Sequence, residues 1–267
     1  MSRIRLRMAS GILALVACGC APALREPPSA TELAGRPRHD RHQVDTLLGR
    51  AEAHYASWTL DSVRQASRTW LEAAAADPSR IEGWVGAARA AIWLAGHETD
   101  APAREEAAES AVHSAQLCGE AATEEPLCAY WLAVALGVQA RERRATALDA
   151  LPRIVELLNR AGDGRPRLDH AGPDRVLALV LVRAPGWPTG PGDPDLGLTH
   201  ARRAVELEPD YLPNQLCLAE ALAAVGEKDE SRRLLEHTTP LVQRRAASGD
   251  PQASEWLEEI HAADWVK

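Results

Sequence analysis

Residues with chemistry to offer are scarce in this chain, and they crowd together. Asp169, His170, Asp174 and Arg175 fall within seven positions, with Gly172 and Pro173 between them. Two carboxylates and an imidazole this close are ingredients of acid–base catalysis. They lack company, however. No serine or cysteine nucleophile motif, His-Glu-x-x-His pair, glycine-rich phosphate loop or metal-ligand spacing of Cys and His accompanies them. A catalytic role, a cofactor and a metal centre are therefore not expected. The other reading is that Arg175 pairs with Asp169 or Asp174, and that the cluster either caps a helix in solvent or faces a cavity.

The elements that must position this cluster are helical. Pro173 suits the first turn of a helix, and the run Val176–Val182 is apolar all round, which demands burial on every side. The loop "APGWPTGPGD" that follows, residues 184–193, is stiff at proline and tight at glycine. It is expected to fold back as a lid with Trp187 packed onto the stack. From Gln43 onward, paired helical segments recur every 34 positions with almost no strand signal. A unit begun at Cys128 places Trp131, Ala135, Ala147 and Leu151 at positions 4, 8, 20 and 24. One begun at Leu212 places Ala219, Leu222, Ser231 and Leu235 at 8, 11, 20 and 24.

The same frame fits Ala66, Trp70, Ala73 and Pro78 in a first unit. It fits Trp84, Ala87, Ala88, Ala108, Val112 and Ala115 in a second, interrupted by an insertion around "HETDAP", and Ala178, Gly197, Ala201, Ala204 and Pro209 in a fourth. This resembles the tetratricopeptide repeat. Small residues let paired helices approach, large ones fill the gaps, and stacking buries what one hairpin cannot. The fold class is accordingly all-α: a superhelix of about five helical hairpins, with Trp256, Ile260 and Ala263 on one face of a C-terminal capping helix. Pro152 falls in the second helix of unit three, where it should kink or split that helix unless it opens a new one.

The N-terminus reads as an export leader: Arg3, Arg5 and Arg7, then an apolar run from Met8 to Ala17 too short to span a bilayer. Leu15, Val16 and Ala17 before Cys18 resemble the lipobox of bacterial lipoproteins. That resemblance implies acylation of Cys18 and, with Gly19 behind it, an outer-membrane anchor facing the periplasm. An ordinary leader with a chance cysteine, or Cys20 as acylation site, are the alternatives. The expected division is leader 1–17, lipidated flexible tether 18–40 and helical domain 41–267. A net charge of −8 argues against nucleic-acid binding. An exported chain tolerates disulfides, and a bridge between Cys118 and Cys128 would clamp a turn, whereas Cys217 reads as a small buried apolar residue.

A narrower resemblance rests on "CAYWLAVALG" at 128–137 and on 168–222, above all Gly172-Pro173, Ala184-Pro185-Gly186-Trp187-Pro188, Gly192-Asp193, Pro209-Asp210-Tyr211 and Pro213-Asn214. These look like the TatT family of lipoproteins, associated with TRAP-type transport. Members often have glycine where this chain has Ala171. The resemblance implies a helical array around a pore or cleft that partners a periplasmic solute-binding protein and receives a hydrophobic small ligand.

Equivalent positions in a solenoid line one surface. The candidate lining is therefore Tyr130, Trp131, His170, Asp174, Arg175, Trp187 and Asn214. Packing competes for Trp131 and Trp187, capping or ion pairing for Tyr130, His170 and Arg175, and a cap on the helix after Pro213 for Asn214. A purely structural scaffold for an envelope or secretion assembly is the competing function, and a small homo-oligomer stays open.

Overall fold

The computed structural model describes residues 41–143 and 147–262. The segments expected to be leader and tether, with Cys18 and Cys20, and Ala263 lie outside the described residues. Among the described residues eleven helices follow in order: α1 Arg41–Tyr55, α2 Leu60–Ala76, α3 Ile81–His97, α4 Ala101–Ala121, α5 Pro126–Glu142, α6 Ala147–Gly164, α7 Gly172–Arg183, α8 Pro194–Leu207, α9 Leu212–Ala224, α10 Lys228–Ala247 and α11 Pro251–Ala262. Among the described residues there is no strand, and an isolated bridge between Gly186 and Gly192 is the β feature present. The chain is all-α. Each helix packs on the next, and α1, α3, α5, α7 and α9 also touch one another in succession. That is the pattern of five stacked hairpins closed by α11.

Local sequence sets the helix starts. Thr59 and Ser62 exchange hydrogen bonds as a capping box on α2, and Asp100 and Asp193 accept from the backbone N–H groups of Ala103 and Leu196 at α4 and α8. Small residues then set the closeness of packing. A Cβ on Gly86 of α3 would collide with the ring of Trp70 on α2, so glycine is what lets that indole lie flat between the two helices. The repeat positions behave as their sizes require: Ala66, Ala88, Ala108, Ala135, Ala178, Ala201 and Ala219 are all within 1% of full burial.

Two expectations need correction. In α6 the face turned inward carries Ala150, Ile154, Leu157, Leu158 and Ala161, while Ala147 and Leu151 are only half-buried. The register of unit three has slipped by three residues, because the apolar stripe and not the single alanine decides which face packs. Pro152 neither ends nor opens this helix, which runs through it. The carbonyl that its missing N–H leaves without a donor belongs to exposed Leu148, where solvent can take the bond. The insertion in unit two is accommodated by the helices that flank it. It is absorbed in a 17-residue α3 and a 21-residue α4, joined through Glu98, Thr99 and Asp100.

Cys118 at the end of α4 and Cys128 at the start of α5 are joined in a disulfide, with Cα atoms 5.4 Å apart. The row curves far enough for α11 to meet α3, where Glu255 lies against His97 across 158 residues of sequence. None of the described helices is long and apolar enough to cross a membrane.

Candidate functional site

The segment before α7 takes an unusual path. Asp169, His170 and Ala171 all have positive φ, at 48°, 55° and 62°. Three consecutive left-handed residues without a glycine cost roughly 1–2 kcal/mol each, so something must hold them. Arg175, one turn into α7, donates from Nη1 to the carbonyls of Asp169 and His170, each at 3.1 Å, and from Nη2 to the Asp169 carboxylate at 2.9 Å. From α5, the Tyr130 hydroxyl donates to the same carboxylate. Gly172 is required here because a Cβ would meet that hydroxyl. From α9, Asn214 accepts from Arg175 at 3.1 Å and donates to the carbonyls of His170 and Ala204, each at 3.0 Å, and of Glu208 at 3.2 Å.

The result is a buried polar junction joining α5, α7, α8 and α9. Asn214 caps the end of α8 rather than the start of its own helix, which corrects that expectation. Burial, reinforced by the Asp169 charge, holds the Tyr130 phenol well above its ordinary pKa. His170 stacks on Tyr211 with ring centres 4.3 Å apart, and the Arg175 guanidinium lies 5.0 Å from the same ring.

The predicted lining divides into four places. Tyr130, His170, Arg175 and Asn214 come together, but as a hydrogen-bonded junction. Trp131 is half-buried beside Tyr130 on the inner face, with Arg89 of α3 over its ring. Asp174 points the other way, toward α6 and α8, where it is 4% exposed and bonds His200 Nδ1 at 2.8 Å. Its Oδ2 has Arg203 Nε at 3.5 Å and borders a space of about 20 Å³, room for one water. Asp169 and Asp174 thus do not share a site, and the acid–base trio suggested by their spacing is split.

Trp187 is 90% exposed, which overturns its expected packing on the stack. The loop folds onto its own backbone instead. Gly192 donates to Pro185, Asp193 donates back to Leu181, and Thr189 and Gly190 both donate to Gly186. The loop is closed by these bonds at its base, and its tip carries the indole outward.

A cavity of about 510 Å³ opens between α7, α9 and α11. Arg175, Leu179 and Arg183 line it from α7, Pro213, Leu216, Cys217 and Glu220 from α9, and Trp256, Glu259, Ile260 and Ala262 from α11, with Tyr211 at its edge. Arg183 and Glu220 form a bidentate pair at 2.7 Å for both bonds. Burial pushes the Cys217 thiol up to about 12 and raises the Glu259 carboxyl above its ordinary range. Apart from Arg175, none of these residues was anticipated as part of a lining. The signal was present as helical spacing: positions 175, 179 and 183 form one stripe of α7. It was masked because the apolar run around Leu179 makes every face of that helix look alike.

Neither a protein-family model nor a curated protein matches this chain.

Proposed function

We propose that this chain is an outer-membrane-anchored, periplasm-facing helical-repeat lipoprotein that binds a solute-binding protein of a TRAP-type system and a hydrophobic small ligand. The single observation that carries the reading is the 510 Å³ cavity. Its walls are Leu179, Leu216, Trp256 and Ile260 with a few fixed polar groups, the makeup of a small-molecule site. Arg175 and Arg183 are already neutralised by Asp169 and Glu220, so neither demands an anionic guest. The TatT-like motifs at 172–173 and 184–193 support the transport setting, and the lipobox-like residues before Cys18 support the anchor.

Native mass spectrometry of the purified protein tests the ligand. A retained apolar molecule, lost when Leu216→Trp fills the cavity, is the expected result. Absence of bound mass, together with no binding of N-phenyl-1-naphthylamine, rejects it. Co-purification with a periplasmic solute-binding protein tests the partner.

One observation favours a scaffold as second reading. Trp187 stands 90% exposed on a loop tied by its own backbone, a preorganised anchor for another protein. Loss of an envelope partner in Trp187→Ala, with ligand binding intact, would select it.

A further inference from the structure

We infer that the 510 Å³ cavity selects an organic cation, a positively charged nitrogen carried on an apolar body, and that Glu259 is the residue that receives the charge. This rests on the ligand-binding function proposed above and names the chemical class of its guest.

The inference starts from the charges that face the cavity, element by element. Helix α7 brings Arg175 and Arg183, α9 brings Glu220, and α11 brings Glu259. Arg175 is held by Asp169 at 2.9 Å. Arg183 is committed through Nε and Nη2 to the two carboxylate oxygens of Glu220, each at 2.7 Å. These two pairs cancel. The Cys217 thiol and the Tyr211 phenol stay neutral, because burial moves both titrations up, the thiol to about 12. Arg245 of α10 lies over the Trp256 ring and is held by Asp250 at 2.9 Å. What is left is Glu259. Among the described residues it has neither an ion-pair nor a hydrogen-bond partner. The wall therefore carries one negative charge that no cation of the lining answers.

The surroundings of Glu259 point the same way. Loss of solvent raises its carboxyl above the ordinary range; Arg183 opposes the rise, while Glu255 and Glu220 add to it. Glu255, one turn earlier on α11, faces His97 of α3 at 2.9 Å. A partly desolvated carboxylate beside two other acids is stabilised by an incoming cation and destabilised by an incoming anion.

The rest of the wall suits the body of such a guest. Leu216, Trp256 and Ile260 belong to one apolar cluster, and Leu179 and Pro213 also line the space. Helical spacing sets acid and apolar surface side by side, since positions 256, 259 and 260 share a face of α11. A hydrophobic amine satisfies both. A fatty acid or other carboxylate would set like charge against Glu259, and a neutral apolar molecule would leave that carboxylate further desolvated without a partner.

Isothermal titration calorimetry on the full chain at pH 8.0, with 4-phenylbutylamine, 4-phenylbutanol and 4-phenylbutyrate as probes of one skeleton, reads the preference. The amine should bind about fivefold more tightly than the alcohol, and the carboxylate more weakly than either. Glu259→Gln should bring amine and alcohol to equal affinity while leaving the alcohol unchanged. Glu258→Gln removes the same charge from an exposed position of α11 outside the lining and should keep the preference. Equal binding of amine and alcohol to the wild-type chain, or a preference that survives Glu259→Gln, overturns the inference and leaves the cavity's proposed function standing. No binding of any of the three probes overturns both.

Discussion

At the scale of single residues, the junction around Arg175 explains why a chain rich in Ala, Leu and Glu writes Asp169, His170, Ala171 and Gly172 in a row. Three residues are held left-handed so that the carbonyls of Asp169 and His170 and the Asp169 carboxylate converge on one guanidinium, and glycine follows because the Tyr130 hydroxyl leaves no space for a side chain. The same burial has a titration consequence. Cys217, whose thiol donates to the Arg175 carbonyl at 3.5 Å, is pushed from 9.0 to about 12, and Tyr130 also moves up. The folded chain therefore keeps protons that the unfolded chain releases. By linkage this contribution to stability is complete below about pH 9 and is lost as pH rises toward 12. Chemical denaturation at pH 8, 9, 10 and 11 should show a midpoint that declines progressively. Cys217→Ala should reduce that decline, whereas an unchanged slope would contradict it. Iodoacetamide at pH 8 should leave native Cys217 unmodified and label it once the chain unfolds.

At the scale of elements, packing decided what pattern alone could not. The alternation of small and large positions located five hairpins because Ala at 66, 88, 135, 178 and 219 is dictated by helix–helix distance, a constraint that leaves a mark in sequence. The register of α6 was not legible, since Ala147 and Ala150 are equally small and only the stripe through Ile154 and Leu157 separates them. The cavity was legible in part. Arg175 stood out as a charge beside an apolar run, but Trp256 and Ile260 read only as the apolar face of a capping helix, because one stripe serves a cap and a cavity wall alike. Trp187 could not be placed from composition, because a loop that satisfies its own backbone needs no contact with the stack.

Two substitutions test element packing. Gly86→Ala drives a methyl group into the Trp70 ring and should destabilise by about 1–3 kcal/mol in urea denaturation. Cys128→Ser opens a bridge spanning 10 positions and should cost about 2–3 kcal/mol, with no further loss on adding reductant. A variant that reductant still destabilises would argue against this pairing.

At the scale of the whole molecule, the question is what makes a row of hairpins unfold as one body. A stack in which each unit touches only its neighbours is as cooperative as its weakest junction. Between successive first helices, contact is sparsest from α5 to α7. Helix α7 straddles the two halves: Leu177 and Leu181 enter the core shared with α3–α6, while Ala178 joins Leu198, Ala201 and Leu222 on the other side. The Tyr130–Asp169–Arg175–Asn214 network crosses this same place, tying α5 to α7 and α9. Elsewhere the units are stitched by ion pairs one repeat apart, such as Arg64 with Glu98, Arg104 with Glu142 and Arg183 with Glu220. Most of these are partly exposed and contribute little individually.

Cooperativity should therefore depend on the junction more than on the ion pairs. Arg175→Met keeps the aliphatic stem but takes this donor from the Asp169 carboxylate and from three other acceptors, the Asp169 and His170 carbonyls and Asn214 Oδ1, a loss of about 3 kcal/mol. It should do more than lower stability. Unfolding followed by hydrogen exchange should resolve α7–α11 opening before α1–α6, and the denaturant slope of the global transition should fall. Arg64→Met, which breaks a pair of similar reach between α2 and the end of α3, should lower the midpoint slightly and leave the slope intact. If both variants keep a single transition of wild-type steepness, the cores on either side of α7 are coupled by apolar packing alone, and the polar junction is not what makes the row one unit.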